Sequence, residues 1–287
     1  MIEIIQGNCV EKLTRLKPRT VNTCITSPPY WLLRDYGTGT WTGGRADCDH
    51  RGDAMRSWQM SSGTKAPKEF YIKECKKCGA VRTNDEQLGL EETPEKFIKN
   101  MVRVFRFVKN ALRNDGTLWI NMGDTYQSNL QLTGMPWRLA LALQESGWYL
   151  RQDIIWHKPN PMPESVKTRC TKSHEYIFLF SKTKKYYFDH KGIMEKAVYE
   201  EGLRAKRSVW TQTADSSANS DHFATYPKKL IEPCIIAGSP KGGLVLDPFA
   251  GLGTTGIVAE NLGRNSIMIE LSKEYIKHMK KRIKKET

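Results

Sequence analysis

Three stretches of this sequence combine residue types and spacings that can do chemistry. TSPPYW at 26–31 closes a run of β-formers with a hydroxyl, two prolines and two aromatic rings. LVLDPFAGLGTTG at 244–256 ends an apolar run in Asp247 and continues with Gly251, Gly253 and Gly256 in a G-x-G-x-x-G pattern. Cys48-x-His50 and Cys75-x-x-Cys78 bracket a polar segment. Consecutive prolines stiffen the backbone, so the first stretch can present fixed acceptors. Glycines let the second turn tightly and approach a ligand, and the helix they open favours an anionic group at its N-terminus. Paired thiol and imidazole donors at both ends of a loop suit a tetrahedral metal.

The glycine loop is followed by NSIMIE at 265–270, which ends in Glu270. An acid at that place can hydrogen-bond both hydroxyls of a ribose, so the set reads as an adenosine site. A nicotinamide dinucleotide would need a second half-sheet beyond Glu270, where the chain has room for only one helix. A single-nucleoside ligand such as S-adenosylmethionine is therefore expected, held by Asp247, Phe249, Gly251, Gly253, Thr254, Thr255 and Glu270, with Phe249 lying against it.

These stretches need elements to position them. Strand-like runs are expected at 2–6, 20–26, 116–121, 149–156, 174–180, 244–247 and 265–270, and helices at 9–16, 93–113, 135–146, 227–237, 254–262 and 272–284. Their alternation predicts an α/β fold, a mostly parallel Rossmann-like sheet with helices on both faces. In the helix at 93–113, Thr93 can cap and Pro94 suits the first position. Phe97, Met101, Val104, Phe105, Val108 and Leu112 repeat at helical spacing, and Asn114-Asp115-Gly116 is expected to turn the chain into the next strand. Residues 37–88, rich in Gly, Ser and charge, read as an insertion. Residues 182–222, with KTKK and RAKR, read as a second polar excursion. The whole of 1–287 is expected to be one domain containing both.

Seven short stretches carry a resemblance: GNCVEKL at 7–13, TSPPYW, GTLWINMGDTY at 116–126, IIWHKPNPMPESV at 154–166, HEYIFLFSK at 174–182, YPKKLI at 226–231 and DPFAGLGTTG at 247–256. The chain resembles the β-group DNA amino-methyltransferases over nearly its whole length. That resemblance implies a circularly permuted order, catalytic half first and cofactor half last. TSPPYW is most similar to the cytosine-N4 branch; adenine-N6 enzymes more often carry Asp or Asn in place of Ser27. The expected activity is methylation of the N4 amine of cytosine at a specific DNA site, with adenine N6 as the alternative. A zinc-containing DNA-binding protein without catalysis is more distant, and a dinucleotide oxidoreductase more distant still. An exocyclic amine is a poor nucleophile because its lone pair is delocalised into the ring. The Ser27 hydroxyl and the Pro28 carbonyl are the expected acceptors for its hydrogens, preorganised by Pro28 and Pro29. Tyr30 is expected to stack on the extruded base. Asn8 stands where the family usually has Asp and is expected to accept from the cofactor's adenine amine. Asp124 is assigned either to the cleft or to a turn cap, His174 and Glu175 to structural hydrogen bonds, and YPKKLI to a helix whose N-terminus holds the cofactor's carboxylate.

The net charge of +14 points to a polyanion partner, here double-stranded DNA. Lys158, Asn160 and Arg169, after the strand at 149–156, are expected near the base pocket. Lys184, Arg204 and Arg207 in the second excursion are expected on phosphates, with Lys182, Lys185 and Lys206, and Tyr186, Tyr187 and Trp210 are expected to reach bases or anchor the loop. The final helix, with seven Lys and Arg against two Glu in 271–287, reads as auxiliary. Seven cysteines in a chain expected to be cytoplasmic argue for metal ligation or buried thiols rather than disulfides. Cys48, His50, Cys75 and Cys78 are assigned to a structural zinc that orders the insertion; Cys9, Cys24, Cys170 and Cys234 are expected to be buried or incidental. Pro233-Cys234 precedes the glycine loop, so it does not match the Pro-Cys nucleophile of cytosine-C5 enzymes. No signal peptide or membrane-spanning run is visible. A homodimer and a cognate restriction enzyme are expected partners of the family.

Overall fold

A computed structural model describes residues 1–33, 36, 38–48, 50, 74–83, 86–127, 129–198, 201–214 and 226–287. Residues 51–73 of the first polar excursion and 215–222, the end of the second, lie outside the described residues.

In chain order the elements are β1 (Ile2–Gln6), α1 (Cys9–Thr14), β2 (Val21–Thr26), β3 (Thr40–Thr42), β4 (Val81–Thr83), α2 (Pro94–Ala111), β5 (Leu112–Met122), α3 (Met135–Glu145), β6 (Tyr149–His157) and β7 (His174–Ser181). The chain continues with β8 (Glu195–Lys196), β9 (Leu203–Arg204), β10 (Val209–Thr211), α4 (Lys228–Gly238), β11 (Leu244–Asp247), α5 (Thr254–Asn261), β12 (Asn265–Glu270) and α6 (Lys273–Glu286). The main sheet runs β1-β12-β11-β2-β5-β7-β6-β10. Every pairing from β1 to β5 is parallel, β7 runs against both β5 and β6, and β10 joins β6 in parallel. The expected mostly parallel sheet, with the glycine-loop half arriving last in the chain, is thus observed.

Two apolar layers sandwich the sheet. On one side α2 contributes Phe97, Met101, Val104, Phe105 and Val108, all buried against Leu118, Ile120, Phe178 and Phe180. Burying each such side chain stabilises by about 1.5–3 kcal/mol. Thr93 caps α2 by accepting from the Lys96 N–H at 3.2 Å, and Pro94 fills the first turn. On the other side Leu230, Ile231, Cys234 and Ile235 of α4 cover Trp119, Ile154 and Ile177. No helix among the described residues is long and apolar enough to cross a membrane.

Two expectations need correction. The long helix ends at Ala111, and Leu112 already opens β5. Val21 faces Leu112 but Thr23 faces Thr117, so residues 114–116, expected as a turn between helix and strand, belong with Arg113 to an outward irregularity within one strand. Further on, residues 209–211 of the second excursion return to the sheet as its edge strand β10. Trp210, considered for base contact, is buried there and donates to the Arg207 carbonyl at 2.6 Å.

Candidate active site and metal centre

The parallel register sets Val245 beside Thr23 and Leu246 beside Cys24, so β2 and β11 end side by side. SPPY leaves the sheet at one of these ends and DPF at its neighbour. The Asp247 carboxylate joins them. It accepts from Thr26 Oγ1 at 2.7 Å, the Phe249 N–H at 3.0 Å, the Tyr226 hydroxyl at 3.1 Å and the Thr255 hydroxyl. Burial raises the carboxyl pKa and these bonds oppose it. Asp247 is only 2% exposed. Its carboxylate is thereby engaged by four protein groups, and it supports the site from below. Thr255 shares that network and bonds Tyr226, while Thr254 accepts from Arg282 of α6 at 2.7 Å. Gly253 has φ +77°, and a Cβ there would lie 2.6 Å from Met279 Cγ, so its glycine serves both the turn and the packing of α6. None of Asp247, Gly253, Thr254 and Thr255 lines the cavity above them.

That cavity encloses roughly 800 Å³ including its open mouth, and its walls include Asn8, Ser27, Pro29, Phe249, Gly251 and Glu270. Glu270 closes β12 and accepts from the Gly251 and Ser272 N–H groups, each at 2.8 Å. Burial nevertheless pushes its carboxyl up to about 7. The Asn8 carbonyl, expected to meet an adenine amine, lines the cavity and accepts from the Val10 and Glu11 N–H groups at 2.9 and 3.4 Å as the cap of α1. Tyr36, Gln87, Leu88 and Tyr275 also line the cavity, and the rings of Tyr36 and Tyr275 meet edge to face at 5.8 Å. No motif marked them, since they come from the flanks of the insertion and from α6.

Tyr30 is held by an acid from β7 that no sequence motif linked to it. Its hydroxyl donates to Glu175 Oε2 at 2.7 Å, and burial with that carboxylate keeps the phenol protonated far above its ordinary range. The ring packs so closely on Gly123 that a Cβ there would lie 3.0 Å from Tyr30 Cε2. Glu175 also accepts from Asn121 Nδ2 at 3.1 Å and pairs with Lys158, whose ammonium stands 4.2 Å from the Trp156 ring centre. Glu175, read only as a structural acid in the sequence, is the hub of the SPPY side. Asp124 takes the capping alternative: it accepts from the Gly134 and Met135 N–H groups at 3.0 and 3.3 Å. Cys234 is buried, and burial pushes its thiol up, which suits no nucleophile.

The residues assigned to DNA differ in their freedom. Asn160 exchanges two hydrogen bonds with the Ala214 backbone, and Arg169 pairs with Glu164 while covering the Tyr126 ring at 4.0 Å. Arg204, Lys206 and Arg207 converge on one carboxylate, Glu195. Lys184 is exposed.

The cysteine and histidine donors do come together. The ligand atoms of Cys48, His50, Cys75 and Cys78 all lie within 4.8 Å of one another. Cys75 opens a tight turn in which Gly79 N donates to its carbonyl at 2.7 Å, and β3 and β4 pair beside it. The Trp41 ring stacks on His50 at 4.9 Å. Backbone hydrogen bonds, that of Arg45 foremost, lower the Cys78 thiol to about 6, toward the thiolate a metal needs. A tetrahedral ion with sulfur at about 2.3 Å separates two thiolates by roughly 3.8 Å. The Cys48 and Cys75 sulfurs are 3.8 Å apart, and Cys78 Sγ is 3.4 Å from His50 Nδ1. The donor set fits a closed tetrahedral site.

A stiff proline-bearing strand end beside a glycine loop, on a largely parallel sheet with one reversed strand, defines an α/β methyltransferase. Residues 21–281 match the N6/N4 DNA methylase family, and the chain belongs to it. It is 38% identical to the type II methyltransferase M.SmaI of Serratia marcescens, over 98% of this chain and 90% of that protein. It is 37% identical to M.Cfr9I of Citrobacter freundii, over 95% of this chain and 84% of that one. In fold it is similar to the cytosine-N4-specific PvuII DNA methyltransferase, with a TM-score of 0.70 at 19% identity, covering 98% and 86% of the two chains. The expected β-group membership and fold are borne out.

Two outcomes test this site. Asp247→Ala leaves the Thr26 hydroxyl and the Phe249 N–H without this acceptor, and the Tyr226 and Thr255 hydroxyls with only each other, at about 1–3 kcal/mol for each group that stays buried and unpaired. Urea unfolding should show a loss of several kcal/mol, and Asp247→Asn a smaller one. Tyr30→Phe and Glu175→Gln should each lower the methylation rate, by up to about a hundredfold if the tip shifts by an ångström. Because the two act as one unit, the double variant should be no worse than the poorer single one; additive losses would separate them.

Proposed function

We propose that this protein transfers a methyl group from S-adenosylmethionine to the N4 amine of a cytosine held out of a specific double-stranded DNA site. The observation that carries the reading is the shared cavity: Ser27 and Pro29 stand on one wall, Gly251 and Glu270 on another. Phe249, Gly251 and Glu270 would hold the nucleoside, Glu270 on the ribose hydroxyls. When bound, the cofactor supplies an electrophilic methyl on a sulfonium. Ser27 and the Pro28 carbonyl would accept the amine's hydrogens and aim its lone pair at that carbon. The amine nitrogen gains the methyl carbon, the C–S electron pair stays on sulfur, and the extra amine proton leaves. Tyr30, fixed by Glu175, would pack on the extruded base. Ser27 supports cytosine N4 over adenine N6. Single-molecule sequencing of DNA from a methylation-free host expressing the protein reads the choice directly: modified cytosine at one motif supports the proposal, and modified adenine selects the alternative.

We further infer that Cys48, His50, Cys75 and Cys78 hold a structural zinc. Three sulfurs and one imidazole leave no open position for catalysis. Cavity-lining residues lie on both flanks of the insertion, Tyr36 and Thr38 before and Glu86, Gln87 and Leu88 after. Metal ligation would therefore brace one wall of the cofactor site. Purified protein should contain about one zinc per chain, and Cys75→Ser should lose it, with faster proteolysis between 37 and 88 and weaker S-adenosylmethionine binding.

Glu270 gives a pH signature. Its folded-state pKa of about 7 lies above the ordinary 4.5, so the folded apoprotein binds more protons than the unfolded chain between those values. Stability from this group is therefore full below about 4.5 and declines as pH rises toward 7. Ribose hydroxyls donate to the ionised carboxylate, so cofactor affinity should climb through the same window. Calorimetry on Glu270→Gln should show both slopes flattened; an unchanged affinity profile would remove Glu270 from the ribose.

A further inference from the structure

A hairpin that carries two exposed leucines rises beside the SPPY tip. Gly123, where β5 ends, touches the Tyr30 ring, and the chain then turns out of the sheet. Thr133 N donates to the Thr125 carbonyl at 2.9 Å, Tyr126 and Leu132 pair as an antiparallel bridge, and Gln127 N donates to the Gln131 carbonyl at 2.8 Å. Leu130 N closes the tip on the Gln127 carbonyl at 2.9 Å. The tip carries Leu130, 68% exposed, and the adjoining arm Leu132, 51% exposed. Leu130 has φ +66°, a left-handed conformation that glycine or asparagine adopts far more readily. A strained leucine turned into water is unfavourable on both counts, which points to a use for it outside the folded chain.

Its base is stiff. The Asp124 carboxylate holds the Thr133 hydroxyl and the Gly134 N–H, and Lys172 donates to the Asp124 carbonyl. The Arg169 guanidinium covers Tyr126. Beside it runs the loop after β6, with Lys158, Lys167, Arg169 and Lys172 against the one acid Glu164. That frame suits phosphates, whereas the leucine tip suits a desolvated, apolar space. Leu130 precedes the anchored Thr133 by three residues, a reach of up to about 10 Å, enough to pass from the groove edge into the stack.

We propose that Leu130, backed by Leu132, enters the DNA base stack at the target nucleotide and occupies the space the extruded base leaves. The proposal rests on the DNA methyltransferase reading. It commits to duplex DNA because of the basic frame and the contact between Gly123 and Tyr30. A second copy of the chain is the competing occupant, since Trp137 and Leu141 on α3 are also exposed.

Leu130→Gly tests it, because glycine relieves the left-handed strain and removes only the side chain. Its melting temperature should equal or exceed that of the parent. Two duplexes carrying the motif found by sequencing are compared, one fully paired and one with an abasic site opposite the target base. The variant should lose at least about tenfold in kcat/KM on the paired duplex and recover most of it on the abasic one, where base extrusion is cheap. Equal losses on both duplexes, or no loss on either, overturn the wedge. So does loss of activity on both together with a shift to smaller particles in sedimentation, which assigns the tip to a copy interface. If the parent protein methylates neither duplex, the underlying function has failed; if the parent methylates both and the variant matches it, only the wedge has.

Discussion

The buried Asp247 carboxylate is the constraint on which the site depends. A charge away from water is costly unless its lone pairs are filled, and here four donors fill them. Those donors come from four places: the tip of β2, the loop after β11, the first turn of α5 and the residues before α4. One side chain thereby locks the SPPY strand end to the glycine loop. Transfer between two bound groups needs their carriers fixed to within about half an ångström. A carboxylate turned toward the cofactor would have left the β2 tip untethered.

A second constraint acts through the insertion. Residues 37–88 are too polar to build a core, yet their flanks supply one wall of the cavity. The Cys/His cluster gathers the segment from within. Its far end is tied back to SPPYW, for the Trp31 indole donates to the Glu91 carbonyl at 2.8 Å and Leu32 N to the Gly89 carbonyl at 2.7 Å. Gly89 sits over Pro29 at a distance where a Cβ would be only 3.1 Å from the proline ring. The wall is thus built by two anchors with polar chain between them, and α2 starts immediately afterwards at Thr93.

Electrostatics divides the basic surface into cations engaged with the protein and cations facing outward. Glu195 draws in Arg204, Lys206 and Arg207, so that cluster keeps a net positive charge while each of its members is oriented. Lys158 is engaged by Glu175 and Arg169 by Glu164. Each of these pairs orders its cation, so the engaged cations have less side-chain freedom left to lose than the outward-facing ones.

The elements were legible because their signals are local. The strand at 265–270, the helix capped by Thr93 and the four metal donors follow from spacing and capping that neighbouring residues enforce. The turn assigned to 114–116 became a bulge because the pairing with β2 starts before it, at Leu112, and resumes after it, at Thr117; a local turn signal carries no information about a neighbouring strand. The roles of acids were the least legible. Asp247 and Glu270 both end strands beside the glycine loop, and the sequence treats them alike.

What the sequence by itself determined is the long strands and helices, their permuted order and the donor types at each end of the sheet; the edge strand β10 and the two short hairpins were not among them. Only the tertiary structure decided which acid is buried as a tether and which faces the cavity, and that Tyr30 answers to Glu175. The physical reason is separation along the chain. Thr26 meets Asp247 across 221 positions and Tyr30 meets Glu175 across 145. Such pairs exist only once strand register has brought them together, and no window of sequence contains both.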